Sequence, residues 1–236
     1  MTKHKVVSRD AWLDARKRLL DKEKAFIHLR DELSAERREL PWVRVDKTYV
    51  FDGPDGKETL PQLFDGRSQL VIYHFMFGPG ADNTPCKSCS FWADSFDRNV
   101  MHLNARDVTM LAVSRAPLAR LEAFKKRTGW TFKWVSSGGT DFNFDYDVSF
   151  PQEADANGRT TYNYAPKTFA ATEMPGISVF HKGADGTVFH TYSCYSRGID
   201  AMNVTYQYLD LVPKGRDEAG LPHTMTWVRY RDAYGT

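Results

Sequence analysis

The chain has 236 residues, enough for one sizeable core or one domain with added arms rather than two equal domains. Its 32 basic and 30 acidic residues nearly cancel to a net +2, and no basic stripe is interleaved with aromatics, which argues against nucleic-acid or anionic-membrane partners. Three cysteines are too few for a disulfide scaffold, and an odd count with two of them separated by two residues suits a reducing compartment and a redox or metal role.

The first 24 residues carry charges throughout and have no apolar h-region. Nowhere does the sequence approach the ~20 apolar residues of a membrane helix, so the expected location is the cytosol. The 14% aromatic content leads us to expect a core packed largely with Phe, Tyr and Trp.

In chain order, Ser8 to Leu40 reads as a long amphipathic helix: Trp12, Leu13, Leu19, Leu20, Phe26, Ile27 and Leu33 recur in steps of three, four and seven. Pro41 would end it. So polar a helix needs something to cover its apolar stripe, which suits a packing arm and leaves room for a homodimer. Val43 to Phe51 alternates as a strand, followed by the turn Asp52 to Gly56 and a helical turn at Leu60 to Phe64. Gln69 to Phe77 is an almost uninterrupted apolar run, the mark of a central strand covered on both faces.

Next come a loop from Gly78 to Pro85 and a helix from about Cys86 to Asn104, then a strand at Val108 to Val113. A helix follows from Pro117 to Thr128, with Pro in its first turn and Gly129 closing it, and then a short strand at Phe132 to Val135. Ser136 to Thr172, rich in Gly, Asp, Asn and Tyr, reads as an insertion of loops and a short hairpin. Ile177 to His181 and Thr187 to Tyr192 are two strands joined by Gly183 to Gly186, and Gly198 to Leu211 is the expected last helix. The tail from Pro213 has no clear pattern beyond Thr226 to Tyr230. A βαβ unit, an antiparallel hairpin and a closing helix give an α/β, thioredoxin-like plan: a mixed central sheet with helices on both faces.

Cys86-Lys87-Ser88-Cys89 falls just after a buried strand and at the start of a helix. Free N–H groups and the positive end of the helix dipole stabilise a thiolate there, making Cys86 the attacking sulfur. Cys89, three positions on, is placed to resolve a mixed disulfide. Met174-Pro175 immediately precedes the strand expected to face the pair, the place where thioredoxin-fold proteins carry a cis-proline, and a cis bond is expected here too. It would leave the preceding backbone open to an extended substrate and block metal capture. Arg115 ends the strand Val108 to Val113, where open sheets present ligands, and could neutralise an anionic substrate or form a surface salt bridge. Trp92 follows the cysteines and reads first as packing, second as a rim to their mouth. His74 reads as a buried strand histidine before it reads as a base for a thiol.

The strings YHFMFGPGADNTPCKSCSFWADSF, VSRAPLARLEAFKKRTGW and PGISVFHKGADGTVFHTYSCYSRGID resemble a bacterial thioredoxin-like family whose members are described as predicted dithiol–disulfide oxidoreductases. The similarity runs from about Val7 to the GRDE stretch near Lys214. It implies a thioredoxin fold with Cys86 and Cys89 on the family's cysteine pair, and supplies no substrate. Where the family has Ser-Thr-Tyr, this chain has Ser193-Cys194-Tyr195.

The expected function is therefore thiol–disulfide exchange on a disulfide or thiol substrate, with no bound organic cofactor and a thioredoxin- or glutathione-type reductant to reset the pair. Three other readings compete. A peroxiredoxin-like peroxide reductase would want Pro-x-x-x-Thr/Ser-x-x-Cys; Pro79 fits, but Asn83 stands three before Cys86 and Thr84 is one place late. A zinc site could be assembled from Cys86, Cys89, His190 and Cys194. Alternatively the cysteines are inert, in a binding or assembly protein worked by the N-terminal helix.

Overall fold

The computed structural model describes residues 4–151, 159–168 and 171–235. Part of the expected insertion, 152–158 and 169–170, lies outside them. The described residues divide into two compact units at the boundary between Pro41 and Trp42.

The first unit is helix α1, Arg9–Arg38. The Ser8 hydroxyl caps it by accepting the Ala11 N–H at 3.3 Å. Asp10 in the first turn and Arg37 and Arg38 in the last oppose the helix dipole favourably. None of its residues is buried, and Trp12, Leu19, Phe26 and Leu33, seven apart, are all exposed.

The second unit opens with three short strands, β1 (Val43–Arg44), β2 (Val50–Gly53) and β3 (Gly56–Thr59). The single strand expected over Val43 to Phe51 is thus two: β1 lies at one edge of the sheet and β2 near the other. Between them Lys47 is drawn out to the carboxylates of Asp141, 2.9 Å, and Asp145, 2.6 Å, which breaks the run. The predicted turn follows β2, and Gln62–Phe64 is a single 3₁₀ turn.

The central elements are β4 (Gln69–His74), α2 (Lys87–Phe96), α3 (Val100–Asn104), β5 (Val108–Ser114), α4 (Leu118–Thr128) and β6 (Lys133–Ser136). The helix expected from Cys86 to Asn104 is broken by a 3₁₀ turn at Asp97–Asn99. There the Asp97 carboxylate accepts the N–H groups of Thr131 at 2.7 Å and Phe132 at 3.1 Å, so the side chain caps the approach to β6. Gly129, at φ +70°, ends α4 in the left-handed conformation that an L side chain resists.

The insertion contributes α5 (Phe142–Asp145) and the hairpin β7 (Arg159–Tyr162) and β8 (Ala165–Thr168). Then β9 (Gly176–Lys182) and β10 (Val188–Tyr195) pair antiparallel. The last expected helix is a 3₁₀ segment, Ser196–Met202, followed by α6 (Val204–Leu209). Asn203 divides them because its side-chain oxygen caps α6 by accepting the Tyr206 N–H at 3.1 Å.

The main sheet runs β1-β10-β9-β4-β5-β6-β2-β3. β4, β5 and β6 are parallel, and β9 joins β4 antiparallel on the other side. This is the thioredoxin-like plan: a parallel βαβαβ half continued by an antiparallel hairpin. Alternation along β4 explains its two faces. Tyr73 joins the core under α2 and α4 with Trp92, Phe96, Leu121 and Trp134, while Leu70 and Ile72 face Phe51, Phe64, Phe142 and Phe180. Helices lie on both faces, but among the described residues the second carries short ones, α5 and the 3₁₀ turn. Among the described residues no helix is long and apolar enough to cross a membrane.

Candidate active site

Cys86 stands where β4 and its loop deliver the chain to α2. Its N–H donates to the Met76 carbonyl at 3.1 Å, and its own carbonyl accepts Ser90 N–H at 3.0 Å. As N-cap it has extended backbone, φ −65° and ψ 126°, and its Sγ accepts the Cys89 N–H at 3.3 Å. The Cys89 thiol and the backbone N–H groups of Cys89 and Ser88 together lower the Cys86 pKa to about 7, against the opposing effect of burial. The shift favours the thiolate near neutral pH. Cys89 is buried, and desolvation followed by the neighbouring Cys86 pushes its thiol well above the ordinary range. The Tyr73 hydroxyl is buried beside the Cys89 sulfur and has no oxygen or nitrogen partner.

A cleft of about 370 Å³ opens onto both sulfurs and is walled by Trp92, Met174 and Pro175. Five of the six site residues expected from the sequence therefore meet in one place. Trp92 combines both of its readings: it is 5% exposed, donates Nε1–H to the Ile199 carbonyl at 2.8 Å, packs edge-on against Tyr206, and still contributes to the wall.

The expected cis bond at Met174-Pro175 is absent; the described residues contain no cis peptide. Trans is the default for X–Pro, and the segment before Pro175 is already held by the insertion. Met174 N–H donates to Val148 O and Phe150 N–H to Thr172 O, both at 2.9 Å. Gly176 follows because a Cβ there would stand 2.6 Å from the ring of buried Tyr195.

Arg115 is placed away from the cleft. Its guanidinium lies 4.4 Å from the Phe144 ring centroid, its Nε is buried without a hydrogen-bond partner, and it acts electrostatically on Glu173. Glu173, just before Met174-Pro175, belongs to no motif in the sequence. It is 8% exposed, and with Met76, Gly78, Asn83, Thr84 and Cys86 it lines a second cavity of about 310 Å³. Its Oε1 has no hydrogen-bond partner. Burial pushes its carboxyl up to about 7, with the Arg115 charge working the other way and Cys86 adding to the rise. Arg120 holds the loop above by donating to the carbonyls of Gly80 and Asn83.

The remaining sequence candidates separate. His74 is buried, receives or donates a 2.8 Å hydrogen bond with Ser178, and stacks on Phe142 on the sheet face opposite the cysteines. Burial lowers its pKa to about 3. His190 bonds Ser193 Oγ at 2.7 Å and packs against Tyr146 and Phe180 of that same face, so the four-residue zinc set does not converge. Among the described residues no three His, Cys, Asp or Glu side chains form a metal-holding group.

Solved structures with some likeness include a cysteine-to-serine mutant of PrxQ from Xylella fastidiosa, at 18% identity over 68% of this chain and 89% of that one, TM-score 0.41. Another is the peroxidoxin BcpB from Mycobacterium tuberculosis, at 13% identity over 72% and 97%, TM-score 0.45. A cysteine-to-serine mutant of peroxiredoxin Q from Xanthomonas campestris gives 17% over 67% and 90%, TM-score 0.44. No curated protein matches the sequence. The model of a family described as bacterial protein of unknown function, DUF899, matches residues 1–234. The chain belongs to that family.

Proposed function

We propose that this DUF899 chain is a dithiol–disulfide oxidoreductase in which Cys86 attacks and Cys89 resolves. One observation carries the reading: a half-buried Cys86 sulfur accepts hydrogen bonds at the start of α2, directly in front of a fully buried Cys89, at the mouth of a cleft.

In the first step the Cys86 thiolate attacks one sulfur of a disulfide RS–SR′. The S–S bond breaks, a Cys86–S–S–R bond forms, and R′S⁻ leaves. Glu173, across the smaller cavity, takes the proton that Cys86 gives up and returns it to R′S⁻. Once Cys86 is in the mixed disulfide its negative charge is gone, which removes one cause of the raised Cys89 pKa. Cys89 then loses its proton and attacks the Cys86 sulfur, releasing RS⁻, which is protonated. The substrate gains two electrons and becomes two thiols, while the chain keeps a Cys86–Cys89 bond. A thioredoxin- or glutathione-type thiol reductant restores the pair. The heptad-spaced stripe of α1 suits pairing with a second copy, which the mass of the full chain in solution would reveal.

The test is trapping. Cys89→Ser should accumulate an adduct on Cys86 with an aromatic disulfide, and the unaltered chain should instead lose two mass units and form the internal bond. An adduct on Cys194, or on neither active-site sulfur, would rule the reading out.

A further inference from the structure

The backbone beside the cysteines is already used. An extended protein substrate is captured by adding a strand to open N–H and C=O groups, with side-chain pockets giving specificity. In the main sheet β9 lies between β4 and β10, and its edges β1 and β3 do not line the cleft; from the small β7–β8 hairpin, Tyr162 at the end of β7 lines it. The segment leading into β9 is occupied too. Met174 N–H is given to Val148 O at 2.9 Å, and an isolated bridge joins Ser149 to Glu173. The Pro175 carbonyl accepts the Tyr162 O–H at 2.7 Å, and the Tyr162 hydroxyl oxygen in turn accepts Ser196 N–H at 2.9 Å.

The tail closes the outer side. Glu218 Oε1 accepts Tyr206 O–H at 2.9 Å, Met225 N–H at 3.0 Å and Trp227 Nε1–H at 2.7 Å, which brings Met225 and Glu218 to the cleft. The volume of about 370 Å³ stands near the lower end of the ~300–1,000 Å³ usual for small-molecule sites. Its two lining cations are each paired. Arg216 holds Asp200 at 3.0 Å and Asp210 at 2.8 Å, and Arg197 holds Asp200 at 3.2 Å. Tyr73, Trp92, Met174, Tyr206 and Met225 supply an apolar, aromatic wall.

Resting on the oxidoreductase reading above, we infer that the cleft takes a low-molecular-weight disulfide with uncharged aliphatic or aromatic bodies, rather than the disulfide of a protein segment. One body lies against the aromatic wall while its sulfur meets Cys86; the chain's own insertion and tail hold the places a peptide would need.

The test compares three probes on the full chain: bis(2-hydroxyethyl) disulfide, glutathione disulfide and the interchain disulfides of insulin. Each kcat/KM is divided by the rate constant of dithiothreitol with the same probe, removing intrinsic reactivity. The neutral probe should exceed insulin by at least tenfold and glutathione disulfide by a smaller factor; a ratio to insulin under tenfold overturns the inference. Met225→Trp, which fills the cleft from the tail, should raise KM for the neutral probe at least fivefold, and an unchanged KM in a folded variant also overturns it. Failure of the underlying reading looks different: none of the three probes is reduced, and diamide yields no Cys86–Cys89 bond.

Discussion

The sulfur of Cys86 accepts the backbone N–H of Cys89 at 3.3 Å, so the sulfur proposed to attack the substrate is held by the residue proposed to attack it in turn. That single contact ties the helix cap to the cysteine pair. The two thiols are asymmetric: the Cys89 thiol, then the backbone N–H groups of Cys89 and Ser88, lower Cys86 to about 7, while burial raises Cys89.

Alkylation of Cys86 by iodoacetamide, followed by mass spectrometry, should titrate with a midpoint near 7. Cys89→Ala removes the S–H donor that contributes most to the shift and should move the midpoint up, leaving the weaker backbone contribution. A midpoint at the ordinary thiol value of ~8.5 in the unaltered chain would contradict the site as described.

Glu173→Gln should lower the midpoint of the Cys86 titration. The two groups line the same small cavity, and the Cys86 charge adds to the rise of the Glu173 carboxyl, so ionisation of one opposes ionisation of the other. The groups acting on the pair are Arg115 on Glu173, and Cys89, Tyr73 and Tyr230 around Cys86. Removing the carboxylate also removes like-charge repulsion, so the remaining midpoint should fall. Turnover should drop by about 10²–10⁴-fold, in line with the loss of a positioned proton carrier. An identical titration curve in the variant would exclude the assigned role.

The same carboxyl affects stability. A carboxyl raised from 4.5 to about 7 contributes stability that is present below pH 4.5 and is lost as pH rises through 7. Glu173→Gln should therefore gain in Tm relative to the parent above pH 7 and not at pH 4.5. His74 has the opposite sign. Its neutral form is favoured in the fold, so the unfolded chain binds more protons between pH 6.5 and about 3 and stability falls as pH drops through that window. His74→Asn should flatten the acid limb of a Tm-versus-pH curve by up to one proton.

Glu218→Ala leaves the hydroxyl of Tyr206, Met225 N–H and Trp227 Nε1–H without their shared acceptor. A cost of ~1–3 kcal/mol is expected for such unsatisfied groups, concentrated in the tail. Limited proteolysis should cut after Pro213 faster in the variant while the β-sheet amides keep their exchange protection. Uniform loss of protection would show that the tail is integral to the sheet rather than a wall on it.

Hydrogen peroxide discriminates the peroxiredoxin-like reading. Asn83 occupies the place three before Cys86 where that reading wants a hydroxyl. Oxidation of Cys86 should therefore proceed within about tenfold of a simple thiol of the same pKa. A rate a thousandfold greater would establish peroxide reduction in place of disulfide exchange.

Period and punctuation in the sequence are enough for the strand order's main members. The apolar run at Gln69 to Phe77, the Cys-x-x-Cys at a helix start and the glycine turn at Gly183 to Gly186 are local signals, and each finds its element, although the strand ends at His74, three residues before the run does. They also suffice to bring Cys86, Cys89, Trp92, Met174 and Pro175 to one cleft, because a βαβ unit and a hairpin can pair in few ways. Tertiary contacts decide the rest. Lys47 reaching Asp141 and Asp145 splits an apparently continuous strand, and Asp97 capping Thr131 and Phe132 breaks an apparently continuous helix. Glu173 is unremarkable among 30 acidic residues until the fold buries it beside Cys86, because desolvation is a property of surroundings rather than of the residue. The trans Met174-Pro175 segment follows the same logic: its backbone is paired with Val148, some 26 residues away in the chain, and no local pattern announces which distant groups will use a given N–H.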